Sequence, residues 1–185
     1  MTDERALLDR ARAGDDSAFD ALVRAHFGRA YSVAHRMVGN HEDAEDLAQE
    51  AFVKAHGGLA AYRGDAPFGA WVLRIVVHLA RDRFRRRGRR PDEGALVLDE
   101  PAGPRGDEPG RALDRREMQR VVDDAIARLP ERLRTPFVLR ALEGLDYDVV
   151  AAATGVKPDT ARTQVMKARR ELARRLAPFL RGGDA

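Results

Sequence analysis

The sequence predicts an all-helical protein of two small domains. Apolar residues recur at three- and four-residue spacing through most of the chain, as one face of a helix requires. No segment alternates apolar and polar residues in the way a half-buried strand does. The helical pattern is interrupted at length only over Gly88 to Gly110, which holds four prolines and five glycines. That is a linker composition.

The elements can be read in order. Asp3 to Ala13 is a short amphipathic segment, and Gly14-Asp15-Asp16-Ser17 ends it and offers caps for the next. Phe19, Leu22, Val23, Phe27, Tyr31, Ala34 and Val38 then mark a helix over about Ser17 to Val38. Gly39-Asn40 reads as a stop followed by a start, because glycine closes helices and asparagine caps their first turn. The following helix runs to about His56. Gly57 to Asp65, with three glycines, reads as a loop. Pro67 suits the first turn of a helix continuing to about Arg87, with Phe68, Val72, Ile75, Val76 and Leu79 inward. From about Ala112 helices resume to Leu180, with breaks near Pro130, Pro136, Gly144 and Gly155. The domains are thus residues 1–87 and 112–185, on a tether of residues 88–111.

Charge is sorted along this scaffold. The net charge is only +3, yet residues 42–50 carry five acids and no Lys or Arg. Residues 81–90 carry seven Arg against one Asp, and residues 157–175 seven basic residues against two acids. Residues 91–110 are acidic, with six acids against one Arg. Segregation on this scale marks separate surfaces for separate partners, the basic ones suited to phosphate. The absence of cysteine excludes disulfides and thiolate metal sites within the chain. No apolar run approaches the ~18 residues of a membrane span, and the N-terminal residues lack the apolar core of a signal peptide. A soluble, cytoplasmic protein is expected. The five histidines show no metal-ligand spacing, and no phosphate-binding glycine loop or nucleophile motif is present. The expectation is a non-enzyme that needs neither cofactor nor metal.

Three segments carry chemistry. In Asp43-Ala-Glu-Asp-Leu-Ala-Gln-Glu-Ala-Phe52, the residues Ala44, Leu47, Ala48, Ala51 and Phe52 form a core stripe. Asp46, Gln49 and Glu50 fall together on another face, since positions three and four apart are helix neighbours. By itself this also suits a capped acidic surface helix. In the Pro67–Arg87 helix, Trp71, Arg74, His78, Asp82, Arg85 and Arg86 share a broad polar face. An aromatic ring among arginines beside a glycine-rich loop suits unstacked single-stranded bases, although a lone Trp is more often core.

The third segment is Asp146 to Thr154, a short helix with Val149, Val150 and Ala153 inward, followed by a turn at Gly155. Pro158-Asp159-Thr160 opens a second helix, as proline and an acid should. Ala161, Val165, Ala168, Leu172 and Leu176 bury one face, leaving Arg162, Thr163, Met166, Lys167 and Arg170 on the other. This is a helix-turn-helix arrangement, whose second helix enters the major groove. The same residues also suit a helical hairpin with a basic solvent face.

Together, in this order, the motifs resemble the extracytoplasmic-function (group IV) class of the sigma-70 family of bacterial RNA polymerase sigma factors, over about residues 5–180. The Asp43–Phe52 segment resembles region 2.2. Phe68-Gly-Ala-Trp-Val-Leu-Arg-Ile75 with Arg81-Asp-Arg-Phe-Arg-Arg86 resembles regions 2.3 and 2.4. Leu129-Pro-Glu-Arg132, Phe137-Val-Leu-Arg140, Glu143-Gly-Leu-Asp-Tyr147 and the helix-turn-helix resemble region 4. The resemblance implies that Asp43, Asp46, Gln49 and Glu50 contact the β′ clamp helices of the polymerase core. It implies that Tyr62, Arg63, Gly64, Asp65, Trp71, Arg74, His78, Arg85 and Arg86 handle the −10 element. Arg140, Tyr147, Arg162, Thr163, Met166, Lys167 and Arg170 would meet the −35 duplex. Further implied partners are the β flap, promoter DNA and an anti-sigma factor, and the acidic tether would thread the polymerase's RNA channel. His78 stands where the family commonly has Asn, and Lys157, Ala161 and Gln164 also depart from its pattern. The rival expectation is a helix-turn-helix regulator that acts without the core enzyme.

Overall fold

The computed structural model describes residues 4–86 and 109–180. Among them are eight α-helices and no strand: α1 (Glu4–Arg12), α2 (Asp16–Val38), α3 (His41–Gly58), α4 (Phe68–Arg86), α5 (Pro109–Ala127), α6 (Glu131–Phe137), α7 (Tyr147–Thr154) and α8 (Pro158–Leu180). A 3-10 turn covers Leu59–Ala61 and a π-helix Val138–Leu142. The all-helical expectation holds. The tether expected over residues 88–111 lies almost wholly outside the described residues.

Local chemistry sets the helix ends. The Asp15 carboxylate accepts from the Ala18 N–H, so α2 opens at Asp16 rather than at Ser17. Hydrogen bonds from Ser17 and then Arg10 hold that carboxyl's pKa down at about 2. Gly39, at φ 87°, ends α2 in the left-handed conformation that glycine adopts without steric cost. At the next start, Asn40 Oδ1 accepts from the Asp43 N–H at 2.8 Å, and Asn40 Nδ2 donates to Asp43 Oδ2 at 2.8 Å.

Helices α1–α4 pack around Leu22, Met37, Leu47, Phe68, Leu73 and Val76, all essentially without solvent contact. The expected stripe of α3, from Ala44 to Phe52, is buried throughout. Helices α5–α8 close over Ile126, Leu129, Leu139 and Val150, against which Ala161, Val165, Ala168 and Leu172 of α8 are buried.

Three expectations need correction. The loop expected over Gly57–Asp65 is shorter, because α3 runs on through Gly58 and the 3-10 turn follows. The end of the helix packs on α4 at the second glycine: a Cβ on Gly58 would lie 3.5 Å from the Trp71 ring. Pro136 does not break its helix; α6 continues through it to Phe137. A proline leaves one carbonyl upstream without its N–H, and the widened π turn that follows closes with Glu143 N–H on Val138 O at 3.1 Å. Val149, expected inward, is only half-buried, and Ala151 takes the buried place in α7.

The two helical groups touch. Helix α7 lies against α4, and α2 meets α5, α6 and the π-helix. The apolar cluster is continuous across both groups.

Candidate polymerase and nucleic-acid interfaces

On α3 the acidic residues divide into two kinds. Asp43 is largely enclosed: its carboxylate lies 3.4 Å from Arg83 Nη2, and Arg83 Nη1 donates to the Asp43 carbonyl at 3.1 Å. It ties α3 to α4. Asp46 also reaches Arg83, at 3.4 Å, yet its side chain is 59% exposed. Gln49 is exposed and Glu50 pairs loosely with Lys54 at 3.8 Å. Val53, the next residue along the same stripe, is 72% exposed. It adds one apolar side chain to this exposed polar stripe. Sequence reasoning missed Val53, although its position three and four residues after Glu50 and Gln49 was a usable signal.

The aromatic site is built by the turn after α3 folding back on α4. Tyr62 is buried and stacks on Trp71 with ring centroids 4.8 Å apart, and Trp71 in turn leans on Phe68. Arg12 of α1 donates to the Tyr62 carbonyl, and the Tyr62 hydroxyl donates to Ala66 O. Trp71 is therefore half-buried, with one side fixed and an edge toward a cavity of about 350 Å³. Arg63, Asp65 and Arg74 line that cavity. Gly64 adopts φ 80°, which turns the chain between Arg63 and Asp65. His78 is exposed on α4 one turn beyond Arg74. Partial burial, then the charges of Arg74 and Arg81, push its pKa below the ordinary imidazole value. A neutral ring offers one donor and one acceptor, the same pair as an asparagine amide. Arg85 and Arg86 are exposed near the end of α4, Arg85 in contact with Asp82 at 2.8 Å.

A prediction follows for His78. The His78→Asn variant should keep overall affinity for single-stranded −10 DNA within about threefold while reordering base preference, since donor and acceptor shift position without a change in charge. Selection from a randomised −10 library checks this, and identical rankings for both proteins would show that His78 does not read the strand.

In the helix-turn-helix, Gly155 at φ 71° makes the turn between α7 and α8. Arg162, Thr163, Met166, Lys167 and Arg170 are all exposed on one side of α8, with Met166 52% exposed. Thr163 donates back to the Asp159 carbonyl at 2.9 Å, leaving its oxygen free to accept. The guanidinium carbons of Arg140 and Arg162 lie 4.9 and 5.1 Å from the centre of the Tyr147 ring. Arg140 also donates to the Leu145 carbonyl at 2.9 Å, so it braces the loop before α7. Arg162 lies over the ring near the start of the exposed face of α8.

No helix among the described residues is long and apolar enough to cross a membrane. The fold is that of a helix-turn-helix protein that carries a second, aromatic–arginine face. Residues 22–90 match the sigma-70 region 2 family and residues 119–172 the sigma-70 region 4 family. The chain is 35% identical to the RNA polymerase sigma-H factor of Pseudomonas aeruginosa, over 96% of each chain. It is 33% identical to the ECF RNA polymerase sigma-E factor of Escherichia coli K12, over 98% of this chain and 97% of that one. The solved structure of CnrH in complex with the cytosolic domain of CnrY superposes with a TM-score of 0.65 at 26% identity, covering 98% and 99% of the two chains. The sigma factor RpoE of Bartonella quintana, solved with the anti-sigma factor NepR, has a TM-score of 0.68 over 86% of this chain and 96% of that one; at 21% identity it speaks for the fold alone.

The chain belongs to the sigma-70 family, in its extracytoplasmic-function class. It is a sigma factor, a transcription-initiation subunit of RNA polymerase, and the rival reading as a core-independent regulator falls. Sigma factors as a family are not enzymes.

Proposed function

We propose that residues 1–87 bind the polymerase clamp and open the −10 element, and that residues 112–185 read the −35 element. Residues 88–111 would tether the two. The observation that carries this division is the exposed Asp46–Gln49–Glu50–Val53 stripe. It is acidic, ends on an apolar residue, and lies on a helix separate from both basic faces. It suits the β′ clamp helices, with Asp43 holding the helix in place rather than touching the partner. The single strand would meet Arg63, Trp71, Arg74 and His78, with Tyr62 as the platform beneath Trp71. On α8, Arg162 and Lys167 face the duplex, with Met166 between them able to meet a thymine methyl. The class implies contact with the β flap, an anti-sigma partner, work in the cytoplasm beside the polymerase, and no catalytic activity of its own. Transcription with purified core polymerase, with transcript starts mapped across genomic DNA, tests the whole reading. Starts sharing no upstream element would refute it.

The −35 half makes a sharper prediction. Removing a bidentate Arg–guanine contact costs about 1–3 kcal/mol and relaxes preference at one position, whereas losing a phosphate contact weakens all sequences and lowers the salt slope by about 1. Arg162→Ala should therefore relax specificity at one base pair, and Lys167→Ala should act more uniformly. Holoenzyme binding to a panel of −35 variants at two salt concentrations reads both. A uniform loss for Arg162→Ala would move base reading to another residue.

A further inference from the structure

Helix α1 lies outside every interface assigned above, yet it is joined to the aromatic site at two points. Arg12, in its last turn, divides its guanidinium between two acceptors. Nη1 pairs with Asp9 at 3.4 Å, one turn back on α1, and Nη2 donates to the Tyr62 carbonyl. The guanidinium carbon also lies 5.5 Å from the centre of the Tyr62 ring, within reach of a cation–π attraction. The other polar groups of Tyr62 bond within its own turn: the N–H donates to Leu59 O at 3.2 Å, and the hydroxyl donates to Ala66 O. Of these bonds, only the one from Arg12 reaches Tyr62 from another helix. The second point is at the start of α4. Glu4 of α1 meets His26 Nε2 at 3.0 Å, and the His26 ring fills the space over Gly69, where a Cβ would lie 2.7 Å from Nδ1. Phe68 stands edge-on to both the His26 and the Tyr62 rings, and Trp71 rests against Phe68 and Tyr62.

We propose that Arg12 is a positioning residue for the −10 strand: it holds the Tyr62 carbonyl and ring, and through the Tyr62–Trp71 stack it fixes how Trp71 is presented to a base. The inference rests on the reading of the Tyr62–Trp71–Arg74 surface as the −10 face. The physical reason lies in the turn that carries Tyr62. A 3-10 turn of three residues has few internal bonds, and Gly64 at φ 80° follows it, so this backbone has little order of its own. A stacked ring is only as fixed as the backbone that bears it. A charged donor bonds a carbonyl about twice as strongly as a neutral one. Tyr62 is 8% exposed, so little water reaches it to replace a lost partner. With Arg12 in place, the ring beneath Trp71 is held before a strand arrives, and ordering it takes nothing from the binding energy when a base stacks. Arg63 and Asp65, on the segment that follows, are set by the same anchor. Arg12 acts through Tyr62 and needs no contact with the DNA.

Trp71 is the chain's only tryptophan, so its emission reports on this stack alone. In the full chain, Arg12→Ala should raise the quenching of Trp71 by acrylamide and shift its emission to the red. The binding probe is a fluorescent single-stranded DNA carrying a −10 sequence that the unaltered holoenzyme selects from a random library. Holoenzyme assembled with Arg12→Ala should bind it about tenfold more weakly, the order expected for losing one hydrogen bond from a charged donor. Arg12→Lys keeps a charged donor and should recover most of both effects. Arg10→Ala removes an arginine of the same helix that pairs with Asp15 instead, and should change neither. Affinity for core polymerase should stay as it was, since the acidic stripe lies on α3; an equal loss there would mean that the variant merely loosens the domain, and would overturn the proposal. Weaker strand binding at unchanged Trp71 emission would overturn it too. Strand binding that falls with Trp71→Ala but not with Arg12→Ala leaves the −10 face standing and removes the role of Arg12. Strand binding that Trp71→Ala does not change removes the −10 face and the proposal with it.

Discussion

Asp46→Ala combined with Glu50→Ala should weaken binding to core RNA polymerase by about 2–5 kcal/mol while leaving the fold intact, the range for charged interface groups buried against partners. The structure says why the fold survives. Both carboxylates are more than half exposed, and their ion pairs with Arg83 and Lys54 are long, at 3.4 and 3.8 Å. Surface pairs of that kind contribute at most about 1 kcal/mol. Asp43→Ala makes the contrast. It removes the carboxylate that meets Asn40 and Arg83, so it should lower thermal stability and disturb polymerase binding only through the helix it anchors. Competition binding to core polymerase, run beside thermal unfolding, separates the two. Unchanged core affinity in the double variant would place the clamp contact elsewhere.

The second large effect is on stability and lies in the second helical group, α5–α8. Arg134 is 3% exposed, and its Nη1 donates at 2.7 Å to the carbonyl of Ala127, the last residue of α5. Burial lowers its pKa to about 10, partly offset by the nearby Glu131 charge. The group stays protonated at neutral pH. Because its folded pKa lies below the unfolded one, its charge is penalised in the fold at every pH below about 10. That penalty is relieved as pH climbs above about 10 toward the ordinary guanidinium value, so this group's contribution to stability rises across that alkaline window. Removing it is worse than keeping it. Arg134→Ala leaves the Ala127 carbonyl without this donor and Glu131 enclosed with one cation fewer, which costs about 3–5 kcal/mol. Urea unfolding followed by circular dichroism measures this. A loss under about 1 kcal/mol would show that the site collapses without needing the guanidinium.

Much of this protein could be read from local sequence. Asn40 as a cap, the buried stripe of α3, the turn at Gly155 and the opening of α8 at Pro158 each depend on residues within a turn or two of each other. Helical periodicity and capping act at that range, so the pattern alone fixes which face is buried and where a helix begins. The family motifs are local for the same reason. What the sequence could not decide is which buried face meets which. Asp43 and Asp46 lie one turn apart on the acidic side of α3, and only the packed structure encloses the first and leaves the second mostly in water, with Arg83 of α4 within 3.4 Å of both. Trp71 could be core or polar face until Tyr62 folds back onto it. Gly57 and Gly58 looked like a loop because glycine propensity was read without the Trp71 ring that packs beside Gly58. Val149 looked like core because periodicity says that a side chain is covered and not by what. The second helical group sits against the first partly through Arg29, Arg36 and Arg81, which meet acids fifty to more than a hundred residues away. Contacts at that range leave no periodic trace in the chain; they exist only once the helices have packed.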